Sequence, residues 1–264
     1  LGSGLQHHLQ RFESARHLLN PEILLFQDFL FIFILMLYVL FTIIFLIPIL
    51  AGFGEIFKKI FGEIWQGISA KLFSGMFFLA MIWQIFAFFF PLNIWVEGVS
   101  LVIGFLAFFY FKTYKDFLKF SKTEILKLCF LTLIIIISGS YYPFILDHFG
   151  YYVPSVNWLS EFGLTKGLAN LNLINAQMSV WHILQAGFSH FSDVYLRINV
   201  VFLLTFFIYI FEKKAWSLLF TSPIFLLFLQ SPSPDLPAIA MSLVVLNEIL
   251  KGNQNAKLLF AFSV

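Results

Sequence analysis

Charged residues are scarce in this chain of 264 residues, at 11% of the composition. A soluble globular domain carries roughly 25% charged residues, whereas here 60% of the residues are hydrophobic and 20% are aromatic. Because so few charges cannot cover a water-facing surface, the composition predicts that lipid is the main solvent of the protein. The single cysteine, Cys129, excludes an intramolecular disulfide.

Motifs of the common nucleotide-binding and catalytic classes are also missing. The chain has no glycine-rich nucleotide loop, no nucleophile elbow and no paired-cysteine zinc motif. The formal net charge is only +2, and no basic block with interleaved aromatic residues is present, so nucleic acid is not an expected partner. No cofactor is predicted. A divalent metal on His148, His182, His190 and Asp193 stays an alternative without diagnostic ligand spacing.

Long apolar runs dominate what is present. A membrane-spanning helix needs about 20 mostly apolar residues, and open strands cannot satisfy their backbone in lipid. The runs therefore predict an all-α polytopic membrane protein with about seven transmembrane helices: Phe29–Ala51, Leu72–Pro91, Leu92–Tyr110, Leu128–Tyr142, Val194–Phe211, Ala215–Gln230 and Leu236–Leu250. The last run is short, so a re-entrant helix is its alternative.

These runs divide the chain into four parts. Residues 1–22 are a polar N-terminal extension, either native or derived from a tag, and residues 23–142 hold four transmembrane helices. Residues 143–193 form one long loop, and residues 194–264 hold two or three further transmembrane helices. Because the chain stops inside another apolar run, "KLLFAFSV", the last part is expected to be truncated.

The placement of lysine and arginine predicts the orientation. Alternate connecting segments, 52–71, 111–127, 212–214 and 251–257, hold 12 of the 16 lysine and arginine residues. Cytoplasmic loops are enriched in these residues. The pattern therefore predicts that the four segments are cytoplasmic and that the N-terminus and the loop 143–193 are extracytoplasmic.

The long loop contains two stretches, 152–162 and 178–188, in which apolar residues recur at helical spacing. Helices with one apolar stripe and aromatic anchors lie in the membrane interface rather than crossing it. The pattern predicts two interfacial helices joined by the glycine-containing turn "FGLTKGLANLN". Trp158 and Trp181 are then expected at the level of the lipid headgroups.

Two acidic residues on the predicted extracytoplasmic side are candidates for catalysis. Asp147 lies where a predicted span ends and the first interfacial helix begins, so it is either an N-cap or a general base. Asp235 lies in "QSPSPDLPA", where the prolines predict a rigid, non-helical turn. Its alternative is a cap at the start of the seventh span.

Five further residues are candidates for substrate binding. His148, Tyr151 and Tyr152 adjoin Asp147 in the sequence. His182 is expected to bond either a neighbour or a sugar hydroxyl. Lys166, isolated between two glycines, is either a contact for a lipid phosphate or an ordinary interface cation.

Four segments, "LFSGMFFLAMIWQIFAFFFPLNI", "DHFGYYVPSVNWLSEFGLTKGLANLN", "SVWHILQAGFS" and "SPSPDLPA", resemble in this order a family of large, functionally uncharacterised bacterial multi-pass membrane proteins. The resemblance covers about Phe29 to the end of the chain. That family is similar in plan to the C-superfamily (GT-C) glycosyltransferases, such as the protein mannosyltransferases and aminoarabinose transferases. Those enzymes use a polyprenyl-phosphate sugar and carry an acidic residue on a first extracytoplasmic loop with two interfacial helices.

The resemblance implies a glycosyltransferase in the inner (cytoplasmic) membrane of a bacterium. It would move a sugar from a polyprenyl-phosphate donor to a glycan, lipid or protein acceptor of the cell envelope. The resemblance also implies that Asp147 is the catalytic acidic residue and Asp235 a second one, although His148 follows Asp147 where the superfamily often has an Asp-Glu pair. The alternatives are a transporter or flippase component for lipid-linked glycans, whose acids would lie inside the spans, and a non-catalytic structural membrane subunit.

Overall fold

The structure is a computed structural model that describes residues 21–171, 178–253 and 255. Within these residues it consists of helices and turns without a strand, which confirms the all-α prediction. Eleven α-helices are described: α1 Pro21–Phe61, α2 Ile68–Ala87, α3 Ile94–Tyr110, α4 Tyr114–Phe117, α5 Lys122–Gly139, α6 Val153–Phe162, α7 Leu168–Leu171, α8 Val180–Ala186, α9 Ile198–Lys213, α10 Ser222–Leu226 and α11 Asp235–Leu250. Most of the predicted N-terminal extension and the end of the chain lie outside the described residues.

Two of the described helices are long and apolar enough to cross a membrane by length and composition. They are residues 29–61 of α1 and the whole of α2. The shorter helix α3 is also apolar. These helices weakly indicate a membrane protein, and the full set of seven crossings stays a prediction.

Helix α1 is longer than the sequence predicted. It continues past Ala51 to Phe61, so Lys58 and Lys59 lie in its last turn instead of in a connecting segment. Cations are favourable at this end of a helix because of the helix dipole. The helix ends before Gly62, whose φ of 90° places it in the left-handed region that favours glycine.

The predicted sixth span, Ala215–Gln230, is not one continuous helix. Residues Trp216–Thr221 form a 3₁₀-helix, α10 is only five residues long, and turns follow it. Pro223 has no N–H to donate at the start of α10. The Thr221 and Ser222 hydroxyls donate to backbone carbonyls three residues back, each at 2.6 Å, and such bonds compete with regular helical bonding.

Helix α9 is the centre of the bundle. Its residues Ile198–Phe211 are all buried, and it packs against α1, α2, α5 and α11. Glycines bring the other long helices close together: Gly75 of α2 meets the backbone carbonyl of Leu50, and Gly52 of α1 meets the backbone of Gly104 in α3. Small residues at such crossings let helix backbones approach, as is common in membrane bundles.

Polar contacts between helices gather at two ends of this bundle. At one end, here called the lysine end, Lys71 pairs with Asp116 at 2.6 Å, and the Lys251 ammonium donates to the Lys213 carbonyl at 2.6 Å. At the other end, here called the loop end, the Leu164 N–H donates to the Ala87 carbonyl at 2.7 Å. Helix α2 runs from the first end to the second, since Ile68 and Ser69 contact Glu212 beside Lys213.

The glycine crossing gives a stability prediction. A side chain at Gly75 would meet the Leu50 carbonyl, whereas nothing lies within 4 Å of a Cβ built at Gly98. We expect Gly75→Ala to lower the free energy of unfolding by about 1–3 kcal/mol, because overpacking forces the backbone to shift. The matched control, Gly98→Ala, should be neutral or slightly stabilising. Melting of the purified protein in detergent measures both, and equal melting temperatures for the two variants would contradict the prediction.

Candidate functional site

The two predicted acidic residues lie near the same tyrosine at the loop end. Asp147 precedes a π-helical turn, His148–Tyr152, and Asp235 is the first residue of α11. Burial raises the pKa of Tyr152, a hydrogen bond with Ser233 lowers it, and the negative charges of Asp235 and Asp147 raise it further. Both carboxylates are therefore within electrostatic range of the Tyr152 phenol. We call this region the carboxylate site.

Asp147 is exposed and lines an open groove. The groove has a volume of about 570 Å³, and its lining is mostly apolar, with Phe144, Leu146, Phe149 and Tyr151 next to the carboxylate. Asp147 occupies the N-cap position of the π-helical turn, but its side chain makes no capping hydrogen bond. The capping alternative is therefore wrong for this side chain, which leaves the carboxylate accessible beside an apolar surface.

Asp235 is also exposed, but it is not in a non-helical turn as the sequence predicted. The non-helical stretch ends at Pro234, and Asp235 begins the 16-residue helix α11. The Ser233 hydroxyl donates to the Asp235 carboxylate at 2.7 Å and accepts the Asp235 N–H at 3.2 Å. A helix N-terminus favours a negative charge, and the two bonds with Ser233 hold this carboxylate in place.

His148 connects the long loop to the segment that carries Asp235. Its Nδ1 atom lies 3.3 Å from the Ser231 hydroxyl. Burial, and then the positive charge of Arg197, lowers the pKa of His148 to about 4. The imidazole is therefore neutral at pH 7, where it can hydrogen-bond but cannot supply a positive charge to a substrate.

His182 lies behind the two tyrosines. Its ring is fully buried, with centroids 5.3 Å from Tyr151 and 5.4 Å from Tyr152. Its Nδ1 atom accepts the Ser179 N–H at 3.3 Å while the Ser179 hydroxyl accepts the His182 N–H at 3.2 Å. This reciprocal capping places the ring proton on Nε2. The structure thus bears out the alternative that His182 bonds a neighbour, and its predicted contact with a sugar stays a prediction.

Lys166 is not joined to the carboxylate site. It is exposed in the turn between Gly163 and Gly167. No hydrogen bond or ion pair connects it to Asp147 or Asp235 in the part of the chain that the structure describes. Its contact with a lipid phosphate stays a prediction.

The second of the two predicted interfacial helices is a core helix. Helix α8 covers Val180–Ala186, and its residues from Trp181 onward are buried against α2 and α6. The Trp181 indole N–H donates to the Asn199 side-chain oxygen at 2.9 Å, so Trp181 bonds within the protein instead of facing headgroups. Helix α6, in contrast, begins and ends within about a residue of the first predicted stretch, and Phe162 is exposed there.

Asn199 is a residue of this region that the sequence reasoning missed. Its side-chain amide donates to the carbonyls of Ser231 at 2.7 Å and Ser233 at 3.0 Å. These bonds hold the segment that carries Asp235. A buried amide in a mostly apolar run is costly unless it is bonded. The polar pair Arg197 and Asn199 in the run 194–211 was the signal available in the sequence.

Glu97 anchors the loop that follows α8. Its buried carboxylate accepts the N–H groups of His190 at 2.9 Å, Phe191 at 3.0 Å and Ser192 at 2.7 Å. The Glu97 carboxylate therefore holds this loop against α3. Across residues 21–171 and 178–253, no group of three or more His, Cys, Asp or Glu side chains is placed to hold a metal, so the four residues of the alternative metal site are not brought together there.

The burial of His182 predicts a dependence of stability on pH. Burial lowers the pKa of His182 from 6.5 to about 4. Between these values the unfolded chain binds a proton that the folded chain does not, so this contribution to stability is fully present above about pH 6.5 and is lost as the pH falls towards 4. We expect His182→Asn, which keeps an acceptor for the Ser179 N–H, to reduce the slope by up to about 1.4 kcal/mol per pH unit.

The measurement is chemical unfolding of the purified protein in detergent at several pH values from 4.5 to 7.5. His148 contributes in the same window, so part of the slope should remain in the variant. An unchanged slope in His182→Asn would contradict the burial of a neutral ring.

Comparison with known proteins places the chain in a family. No curated protein matches it, and no solved structure matches it. One family model, described as a domain of unknown function (DUF8201), matches residues 36–264. This match covers most of the chain, including α2–α11 and both acidic residues of the carboxylate site. The chain therefore belongs to the DUF8201 family.

Proposed function

We propose that this protein is a membrane glycosyltransferase that moves a sugar from a polyprenyl-phosphate carrier to a hydroxyl of a cell-envelope glycan, lipid or protein. The observation that carries the proposal is the position of Asp147. This exposed carboxylate lines an apolar groove, and a second exposed carboxylate, Asp235, lies in the same region. A polyprenyl chain is apolar and its sugar end is polar, so a carboxylate at the edge of an apolar groove suits such a donor.

In the proposed reaction Asp147 is the general base. It accepts the proton of the acceptor hydroxyl as the hydroxyl oxygen forms a bond to C1 of the sugar. The bond from C1 to the phosphate oxygen breaks, and the polyprenyl phosphate leaves with the electron pair. Asp235 orients the acceptor or the donor. A positioned base contributes about 10²- to 10⁴-fold to the rate of such a step.

The tyrosines next to Asp147 are hydrogen-bond donors in this scheme. Burial raises the pKa of Tyr151, and so do the charges of Tyr152 and Asp147, so the phenol keeps its proton at pH 7. The Tyr152 phenol also keeps its proton at pH 7, because burial raises its pKa as well. The Tyr151 phenol lines the groove beside Asp147 and is suited to bind sugar hydroxyls, which accept as well as donate. Tyr152 is buried behind it, so its contact with a substrate stays a prediction.

We further propose that the chain crosses the membrane about seven times, with the loop end extracytoplasmic. The separation of contacts supports this orientation. The lysine-rich segments contact one another at one end, as in the Lys71–Asp116 pair, while the long loop contacts the segments 87–93 and 231–235 at the other.

Transport of a lipid-linked glycan is the rival proposal, and three buried carboxylates argue against it. A transporter would use acids inside its spans to line a path. Here Glu97 accepts three N–H groups of the chain, and Glu212 accepts two at the start of α2. Glu248 accepts the Tyr209 hydroxyl at 2.9 Å and the Asn253 amide at 2.6 Å. Each is occupied by a structural contact.

Asp147→Asn tests the catalytic proposal. We expect a loss of about 10²- to 10⁴-fold in activity at an unchanged level of protein, because the amide cannot accept the proton. The measurement is mass spectrometry of surface glycans in a deletion strain rescued with wild type or variant. The expected result is a sugar that is missing in the deletion strain and restored by wild type.

Glu161→Gln is the matched control. Glu161 is another exposed acid on the same loop, at the end of α6. The Glu161→Gln variant should restore the missing sugar as wild type does. Full rescue by Asp147→Asn would contradict the general-base role. If Asp235→Asn also gave full rescue, the structural-subunit alternative would be favoured.

Cysteine labelling tests the orientation. In a Cys129→Ser background, a cysteine replacing Lys166 should react with a membrane-impermeant maleimide in right-side-out vesicles. A cysteine replacing Lys115, which is exposed near the lysine end, should react only in inside-out vesicles. The same pattern of reaction for both positions would exclude the proposed orientation.

A further inference from the structure

A second groove lies near the lysine end, between α5 and the 3₁₀-helix Trp216–Thr221. Its volume is about 810 Å³, within the roughly 300–1,000 Å³ of ligand pockets. Its lining is almost wholly apolar, from α5, the end of α9 and the 3₁₀-helix: Leu126, Phe130, Leu133, Phe211, Trp216 and Leu219. Lys127 is the charged residue of the lining. We call it the lysine groove.

Two lysines gather at the mouth of the lysine groove. Lys127 lines the lysine groove. Lys214 lines an adjoining cavity together with Glu124 and Phe211, and Phe211 also lines the lysine groove. Hydrogen bonds from Ser121 lower the pKa of Glu124, and the positive charges of both lysines lower it further. Glu124 itself is held in the capping box of α5, where it accepts the Ser121 N–H and hydroxyl at 2.8 Å each. Neither lysine takes part in an ion pair within 4.0 Å among the described residues. The mouth therefore has a net positive charge.

The shape of the groove suits a chain that enters from this mouth. Lys127 and Leu133 are six residues apart on α5, so the lining extends about 9 Å along the helix at 1.5 Å per residue. Trp216 contacts Phe211 edge to face at 5.0 Å and stays partly exposed. A tryptophan in such a position is typical of the boundary between acyl chains and headgroups. The lysine stem packs on apolar surface while its ammonium reaches the headgroups.

We propose that the lysine groove binds an anionic phospholipid, with one acyl chain in the groove and the phosphate at Lys127 and Lys214. The apolar lining excludes a free phosphate as the main occupant, and the net positive mouth favours an anionic over a zwitterionic headgroup. This site is at the opposite end of the bundle from the carboxylate site. The proposal rests on the membrane location of the protein and is independent of glycosyl transfer.

The single cysteine of the chain reports on the site. Cys129 is exposed and lines the lysine groove, so a bound acyl chain should shield it. The purified chain in detergent is mixed with phosphatidylglycerol or phosphatidylcholine, and the rate of alkylation by N-ethylmaleimide is followed by mass spectrometry. We expect phosphatidylglycerol to slow the reaction at least fivefold more than phosphatidylcholine does, and native mass spectrometry should show it retained in preference.

The double variant Lys127→Gln, Lys214→Gln tests the headgroup contact. A lysine near an anionic membrane surface contributes about 1 kcal/mol, or about fivefold, so the pair should lose about 25-fold in preference for phosphatidylglycerol. Lys59→Gln, Lys115→Gln removes the same charge from residues outside the lining of the groove and should keep both the preference and the protection. Both pairs are at exposed positions, where substitution is expected to leave folding intact.

Three results would overturn the proposal. Equal protection of Cys129 by the two lipids would show that the groove does not distinguish their headgroups. An equal loss of preference in the control pair would reduce the effect to general surface charge. Retention of phosphatidylglycerol without protection of Cys129 would place the lipid elsewhere. None of these results bears on the activity of Asp147, which is measured separately.

Discussion

The side-chain amide of Asn199 holds the loop end together. It receives the Trp181 indole N–H from α8 and donates to two carbonyls of the segment that precedes Asp235. A buried amide without partners would cost about 1–3 kcal/mol for each unmade bond, so three elements distant in sequence must meet at this residue. The position of Asp235 follows from that requirement, because the carbonyls it fixes belong to Ser231 and Ser233.

The opposite end of the same helix follows the same rule. Glu212 accepts the N–H groups of Ile68 and Ser69, which are the first donors of α2 and have no partner within their own helix. One polar residue near each end of α9 therefore sets the entry or exit of a neighbouring element, while the apolar residues between them supply burial. The two grooves lie towards opposite ends of the bundle, and the buried apolar length of α9 lies between these ends.

The sequence predicted those features that depend on local pattern. Apolar runs located most of the helices, and helical spacing located α6 to within about a residue. The predicted interfacial location of α8 was wrong, because an apolar stripe has the same sequence pattern whether lipid or protein buries it. Helix α1 was predicted too short because Lys58 and Lys59 were interpreted as a loop, although charges are compatible with the last turn of a helix.

Other features depend on contacts between distant residues. The hydrogen bond between His148 and Ser231 joins positions 83 residues apart, and no local pattern encodes it. The sequence predicted that Asp147 and Asp235 lie on one side of the membrane, but their shared neighbour Tyr152 emerged only from the fold. The broken segment Trp216–Leu226 was also hidden, because its apolar composition is that of a regular span.

The length of α1 has a consequence for the surrounding bilayer. Its 41 residues extend about 60 Å at 1.5 Å per residue, twice the hydrocarbon thickness of about 30 Å. The stretch from Phe29 to Gly54, which holds no charged residue, still extends about 39 Å at 1.5 Å per residue, and Phe29, Phe31 and Phe33 are exposed along it. Where α1 crosses the membrane, this hydrophobic mismatch must be relieved by tilting of the helix or by thickening of the lipid around it. Phe29, Phe31 and Phe33 lie at the end of the stretch where either adjustment is needed.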